Sequence, residues 1–350
     1  MNIAIDISPL STEHKVRGTG FYLQHLKEAL LKYFPENNYT FFQTGDTLPE
    51  KIDIVHYPYF DPFFITLPFR KQYKTVVTVH DLTPIVFFEH FPAGLKGNFR
   101  WQVQKFRLKN VDGILTDSEA SKKDIMKIVG YPEKKIDVAY LAAGEEFKRL
   151  KIEDLGLKKV KEKYHLPEKF VLYVGDVTWN KNLPRMLRAV EKLDIPLVMV
   201  GKALVSSDFD RKNKWNSDLA EVQKLAKQNN NVHMLGFVPT EDLVALYNLA
   251  TVFVFPSVYE GFGLPILEAM QSGCPVIISR ESCMPEVGGV AAEYFDGYNT
   301  DNFADVIKKV YSSRIIQKEL SEKGLVQAKK FSWQATAEKT IQAYTRALNS

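Results

Sequence analysis

Two glutamates with seven residues between them, Glu260 and Glu268, bracket a glycine-containing loop in the segment FVFPSVYEGFGLPILEAMQSGCPVII, residues 253–278. A short apolar run ends near Ser257, the loop Gly261-Phe262-Gly263-Leu264 follows, and Pro265 stands where a helix should begin. Proline is preorganised for the first helical turn. Such a junction gathers free backbone N–H groups and the positive end of a helix, which suits a phosphate or sugar hydroxyls near one. A carboxylate accepts from vicinal hydroxyls, as an acidic residue does on the ribose in dinucleotide folds. Glu260 and Glu268 could therefore meet neighbouring parts of one ligand. Spacing alone equally allows a capping glutamate and a solvated one.

Lys181 lies in VGDVTWNKNL, residues 174–183, after a strand ending near Gly175 and just before a helix beginning near Pro184. There its charge would add to the helix dipole in neutralising a diphosphate, the alternative being an ordinary exposed lysine. His80, in His80-Asp81-Leu82-Thr83-Pro84, ends another strand, where it could meet a sugar hydroxyl or carry a proton, unless local backbone satisfies it. Arg17-Gly18-Thr19-Gly20 opens a helix after the first strand but is no dinucleotide fingerprint, because Leu23 occupies the third glycine position. As a loop–helix junction, Gly18 is still placed to approach a diphosphate. Thr116-Asp117-Ser118 reads mainly as structure, with Ser118 a helix cap. Asp208-Phe209-Asp210 has the form of a metal-binding triplet but falls in the hydrophilic stretch SSDFDRKNKWNSD, a solvated loop. No H-E-x-x-H, paired C-x-x-C, Walker A or G-x-S-x-G motif is present, and no metal site is expected.

Elements of a particular kind must hold these residues. Eleven short runs, among them Ile3–Ile7, Thr75–Val79, Phe170–Val174, Val252–Phe255 and Pro275–Ile278, are apolar at nearly consecutive positions. Parallel strands covered on both faces read this way. Amphipathic segments such as Phe21–Tyr33, Asn98–Lys109, Pro184–Leu193 and Thr240–Leu249 alternate with them, which predicts doubly wound α/β sheets. At 350 residues the chain is long enough for two domains. A charged stretch ending at Pro167 suggests a boundary between a first domain, 1–167, and a second, 168–350. The last helix, opened by Trp333 and running 333–350, is expected to pack back on the first. Two such domains facing each other would form a cleft at the carboxyl ends of their strands.

Composition narrows the setting. Hydrophobic residues are 45% and charged residues 25% of the chain, which excludes a disordered, collagenous or coiled-coil protein. A net charge of +4 is too small for a dedicated nucleic-acid binder. Two cysteines, Cys274 and Cys283, fit a reduced compartment. The amino terminus does not read as a signal peptide, and no apolar run is long enough to span a bilayer; a cytoplasmic protein is expected. Residues 70–109 carry eight Lys and Arg against two Asp and Glu amid many aromatics, which suits either a peripheral membrane contact or a solvated helix over core aromatics.

The pattern E-G-F-G-L-P-x-L-E-A-M after a strand, followed by G-C-P-V-I-x-S, resembles the retaining glycosyltransferases of family 4 along nearly the whole chain. The resemblance implies the GT-B fold of two facing Rossmann-like domains and transfer of a hexosyl group from a nucleotide diphosphate sugar to an acceptor hydroxyl. It implies donor-sugar contacts for Glu260 and Gly261 to Leu264, ribose for Glu268, and diphosphate for Lys181 and the Gly18 loop. It also implies approach of His80 to the donor sugar or transferred centre, and nucleobase contacts through the backbone at Phe237 and Val238. Asp176 departs from the pattern, standing where many members carry an Arg. T-V-H-D-L-T-P and K-N-L elements point to mannose from a GDP-linked donor, with UDP as the other base, and to a cell-surface glycan or a lipid-linked acceptor. No cofactor or metal is implied. An epimerase or hydrolase on the same fold, or a silent sugar-nucleotide-binding module, is the alternative.

Overall fold

The computed structural model describes residues 1–12, 18–151 and 154–350. Arg17 lies outside the described residues. The chain divides into two compact units, Met1–Ala142 with Phe331–Ser350, and Ala143–Lys330.

The first unit runs β1 (Asn2–Asp6), α1 (Gly18–Tyr33), β2 (Asn38–Phe42), β3 (Ile54–Tyr57), β4 (Lys74–Thr78), α2 (Thr83–Val86), α3 (Gly94–Lys109), β5 (Gly113–Thr116), α4 (Glu119–Asp124) and β6 (Ile136–Val138). Its six strands lie in the order β2-β1-β3-β4-β5-β6, and every pairing is parallel. The second unit contributes α5 (Leu155–Lys163), β7 (Val171–Val174), α6 (Leu183–Glu191), β8 (Leu197–Val200), α7 (Ser217–Gln228), β9 (Val232–Gly236), α8 (Thr240–Leu249), β10 (Val252–Phe255), α9 (Leu264–Gln271), β11 (Val276–Ser279), α10 (Met284–Gly288), β12 (Glu293–Phe295), α11 (Thr300–Ser312) and α12 (Arg314–Ala328). Its strand order is β12-β11-β10-β7-β8-β9, again all parallel. Counted from β7, this is the 3-2-1-4-5-6 order of the doubly wound fold, with its topological switch point between β7 and β10. The final helix, α13 (Trp333–Leu348), belongs to the first unit.

Apolar runs become strands here because both faces are covered. Every residue of β8, β10 and β11 is buried. Helix starts follow local chemistry: Ser118 caps α4 by accepting from the Ser121 N–H at 3.1 Å, as its sequence position suggests, and Ser332 caps α13 through the Ala335 N–H.

Two readings change. Residues 143–167, grouped by composition with the first domain, pack in the second unit, so the division falls at 142/143. The charged stretch hides the amphipathic α5, which buries Leu157 and Val160. Lys163 and Tyr164 both donate to Asp242 at the start of α8, at 2.6 and 2.8 Å, and the Leu150 N–H donates to Asn248 Oδ1 at 2.7 Å. The other change is β12, a three-residue edge strand pairing with β11 that no apolar run announces. Cys274 and Cys283 are both buried free thiols.

Candidate active site

The second unit gathers its candidate residues at the switch point. β7 pairs directly with β10, Val171 opposite Val252 and Leu172 opposite Phe253. The segments leaving their carboxyl ends are therefore neighbours, and they bring Lys181 onto Glu260. The ammonium donates to Glu260 Oε1 at 2.6 Å, with the two side chains only 17% and 14% exposed. The ammonium also lies 5.4 Å from the centre of the Phe255 ring. Removing either member of such a sheltered pair would leave a charge without its partner.

Backbone bonds hold the pair in register. Asn180 donates through Nδ2 to Tyr259 O at 2.9 Å and accepts at its own carbonyl from the Val258 N–H at 2.8 Å. Asn182 takes the left-handed conformation at φ 58°, which asparagine tolerates better than most residues. Its amide bonds Pro256 O at 3.1 Å and Gly297 O at 2.8 Å. On the far side of Glu260, Ser282 Oγ donates to its carbonyl at 3.0 Å. The Cys283 thiol reaches the Glu260 and Phe262 carbonyls at 3.2 and 3.0 Å. Burial pushes that thiol well above the usual range, so Cys283 acts here as a neutral donor that fixes the loop.

Gly261, Phe262 and Gly263 are buried and Leu264 half-buried. Gly263 precedes α9 at φ 109°, where a Cβ would also come within 2.9 Å of Ile266 Cδ1, so only glycine fits the turn. Pro265 occupies the first turn of the helix. Pro265 has no N–H and the Ile266 N–H bonds Gly263 O at 3.0 Å, so within that turn the Leu264 N–H is what remains for a ligand beyond Glu260. Glu268, half-buried one turn further on, accepts from the Tyr247 hydroxyl at 2.9 Å. Burial raises its pKa to about 7, the Tyr247 bond partly offsets this, and the Glu146 charge adds to it.

Other candidates are more peripheral in the unit. Phe237 is 67% exposed after β9, whereas the Val238 side chain is buried, so a ligand could meet Val238 only through its backbone. Asp176 is exposed, accepts from the Val177 N–H at 2.9 Å, and pairs with no cation among the described residues. Asp208 and Asp210 are exposed, and Asp210 caps its own turn through the Lys212 N–H. Among the described residues no cluster of three or more His, Cys, Asp or Glu could hold a metal ion.

In the first unit, His80 leaves β4 beside Asp117, which leaves β5. The parallel register sets Thr78 opposite Leu115, and two residues on, His80 Nδ1 meets Asp117 Oδ2 at 2.6 Å. Burial pushes the imidazole pKa down, but the charge and hydrogen bond of Asp117 more than offset it and leave it raised. The Tyr22 ring meets His80 edge-on at 4.8 Å. Tyr22 also links to a buried chain in which Thr78 bridges the Tyr22 hydroxyl and His56 Nε2 at 2.9 and 2.8 Å. His56 Nδ1 in turn meets Tyr344 of α13 at 2.7 Å. Gly18 begins α1 in open space, with nothing to clash with a Cβ there.

Sequence reasoning missed Asp117, Asn180, Asn182, Tyr247 and Cys283. A signal existed for two groups of them: Asp117 follows from parallel register once β4 and β5 are neighbours, and the two asparagines flank Lys181 in W-N-K-N-L.

The model for glycosyl transferases group 1 matches residues 156–327, and that for glycosyltransferase family 4 matches residues 18–142. The chain is 33% identical over 297 residues to O-antigen chain mannosyltransferase B of Escherichia coli, covering 83% of this chain and 75% of that one. It is 29% identical over 299 residues to the serotype-specific mannosyltransferase WbdA of Escherichia coli, again across 83% of this chain. The match spans only 36% of the length of WbdA. Sucrose-phosphate synthase from Thermosynechococcus elongatus superposes with a TM-score of 0.77 at 18% identity, covering 99% of this chain and 98% of that one. A likeness at that identity speaks for the fold, and it is the fold that the resemblance implied.

Proposed function

The chain belongs to glycosyltransferase family 4 and has the GT-B fold, and on that premise we propose that it moves a hexosyl group, mannosyl first, from a nucleotide diphosphate sugar to a glycan or lipid-linked hydroxyl in cell-surface polysaccharide synthesis. The observation that carries the reading is the Lys181–Glu260 pair at 2.6 Å beside the amino end of α9. A cation, a carboxylate and the positive end of a helix meet there at the switch point of a doubly wound sheet.

In this reading Glu260 and the backbone from Gly261 to Leu264 hold the donor sugar. Glu268 accepts from the ribose hydroxyls, and the exposed Phe237 with the Val238 backbone meets the base. As the glycosidic bond breaks, negative charge builds on the departing diphosphate, and Lys181 and the start of α9 stabilise it. The acceptor hydroxyl attacks from the face the phosphate leaves and gives its proton to that phosphate, so configuration is retained. His80, oriented by Asp117, meets a sugar hydroxyl at the transferred centre. The charge of the diphosphate is assigned to Lys181 and the helix start, and no metal or cofactor is included. GDP is the favoured base and UDP the other candidate. Guanine is favoured because the relatives above are mannosyltransferases. The setting is the cytoplasm, at the inner face of a membrane, and among the described residues no helix is long and apolar enough to cross one.

The test is transfer itself. With GDP-mannose and a mannose-terminated oligosaccharide, NMR of the product should show a new α-linkage and release of GDP. Hydrolysis or epimerisation of the donor without a new linkage would overturn the reading.

A further inference from the structure

The first unit carries an apolar surface that the donor chemistry does not use. On α3, Leu95, Phe99 and Phe106 are 91%, 70% and 69% exposed. At 3.6 residues per turn these three fall within about 40° of one another on the helix. The opposite side, with Gly97, Trp101, Gln104 and Leu108, is buried in the unit. Between the two sides run cations: Lys96, Arg100 and Arg107 along one flank, Lys105 and Lys109 along the other. No Asp or Glu occurs between Gly94 and Lys109.

The preceding loop extends this surface. Phe64 and Phe69 are 63% and 83% exposed, and arginines of α3 secure both. The Arg100 guanidinium lies 5.8 Å from the centre of the Phe64 ring and donates to Phe63 O at 3.4 Å. Arg107 lies 5.0 Å from the Phe69 ring and donates to Leu67 O at 2.7 Å. Aromatic and aliphatic tips thus stand out between rows of positive charge.

We infer that this face, α3 with Phe64 and Phe69, docks on a bilayer surface containing anionic lipid. Phe and Leu enter the boundary between headgroups and acyl chains, while the flanking Lys and Arg remain at the level of the phosphates. Charge complementarity selects this occupant. Five cations and no carboxylate on one helix match a negative surface, whereas a second copy of the chain meeting this face across a two-fold axis would set the same cations against each other. The contact goes beyond the transfer reaction, and its readout needs no sugar nucleotide, so failure of one reading is distinguishable from failure of the other.

Flotation of the whole protein with vesicles of phosphatidylglycerol and phosphatidylcholine in equal parts, and with phosphatidylcholine alone, tests the inference. The protein should float with the anionic vesicles only, and salt should release it. The exposed pair Phe99→Ser and Phe106→Ser should abolish flotation. Neutralising Lys96 and Lys109, one from each flank and both exposed, to Gln should lower the partition coefficient by about 30-fold, since each cation near such a surface contributes about 1 kcal/mol. If the serine variant does not fold, the glutamine variant reads the same surface. The inference is overturned if the wild type stays with the soluble fraction or floats equally with both vesicles. It is also overturned if both variants float as the wild type does, or if sedimentation without lipid shows a dimer that the serine variant dissociates.

Discussion

Replacing Lys181 by Met leaves Glu260 as a carboxylate 14% exposed, with its 2.6 Å partner gone. Breaking a fully buried pair by removing one member costs about 3–5 kcal/mol. The residual exposure of both groups lowers that here to about 2–3 kcal/mol, which for a unit of this size means roughly 5–10 °C in the unfolding transition. Glu260→Gln should be destabilising in the same direction, because Lys181 is then unpaired. The double variant should be less destabilised than the two single changes together, by a coupling energy of about 1–3 kcal/mol. Thermal unfolding of the four proteins closes the cycle. The same set separates structure from ligand binding: Glu260→Gln frees Lys181 and should tighten a nucleoside diphosphate that carries no sugar, whereas Lys181→Met should weaken it. The reasoning is refuted if the two losses simply add, or if Glu260→Gln weakens the diphosphate as much as Lys181→Met does.

Two further outcomes follow from the titrating groups. Glu268 has its pKa raised by burial to about 7, so the native chain keeps a proton that the unfolded chain has already lost. Stability should therefore fall as pH rises from about 4.5 to about 7, by up to about 3 kcal/mol, and then level off. Glu268→Gln keeps an acceptor for Tyr247 and should remove that slope, which unfolding curves at about pH 5 and about pH 8 would read; Glu268→Ala should weaken nucleotide binding, and an unchanged affinity would contradict the ribose role. For His80, raised by Asp117, the pair's contribution is full below the unfolded pKa of about 6.5 and is lost as pH rises through the higher folded value. Asp117→Asn should lower the His80 pKa in an NMR titration and slow transfer by up to about 100-fold while leaving nucleotide affinity unchanged.

The strands were legible because both of their faces are buried, so runs such as Val252–Phe255 and Thr75–Val79 needed no alternation to be recognised. The edge strand β12 pairs on one side only and offers just Phe295 to the core, which leaves no run to read. Helix α5 escaped notice because two buried residues, Leu157 and Val160, anchor a segment whose composition is charged. The loop glycines and both glutamates could be picked out from local spacing, since a strand, a turn and a helix start follow one another there. The contact between Lys181 and Glu260 spans 79 positions and depends on β7 and β10 being neighbours, a property of sheet order rather than of any local pattern. Tyr247 and Cys283 likewise act through tertiary packing, and neither residue type in its own segment announces a partner.

The central claim is that the switch point of the second unit binds a nucleoside diphosphate through Lys181 without help from a metal. Calorimetric titration of GDP, UDP and ADP into the wild type and Lys181→Met, with a chelator and then with manganese, tests it most directly. One of the three should bind the wild type in the chelator, and the variant should lose about 10- to 100-fold in affinity, the worth of a charge-assisted hydrogen bond. Binding that appears only with manganese, equal affinity in both proteins, or no binding of any of the three would contradict the account.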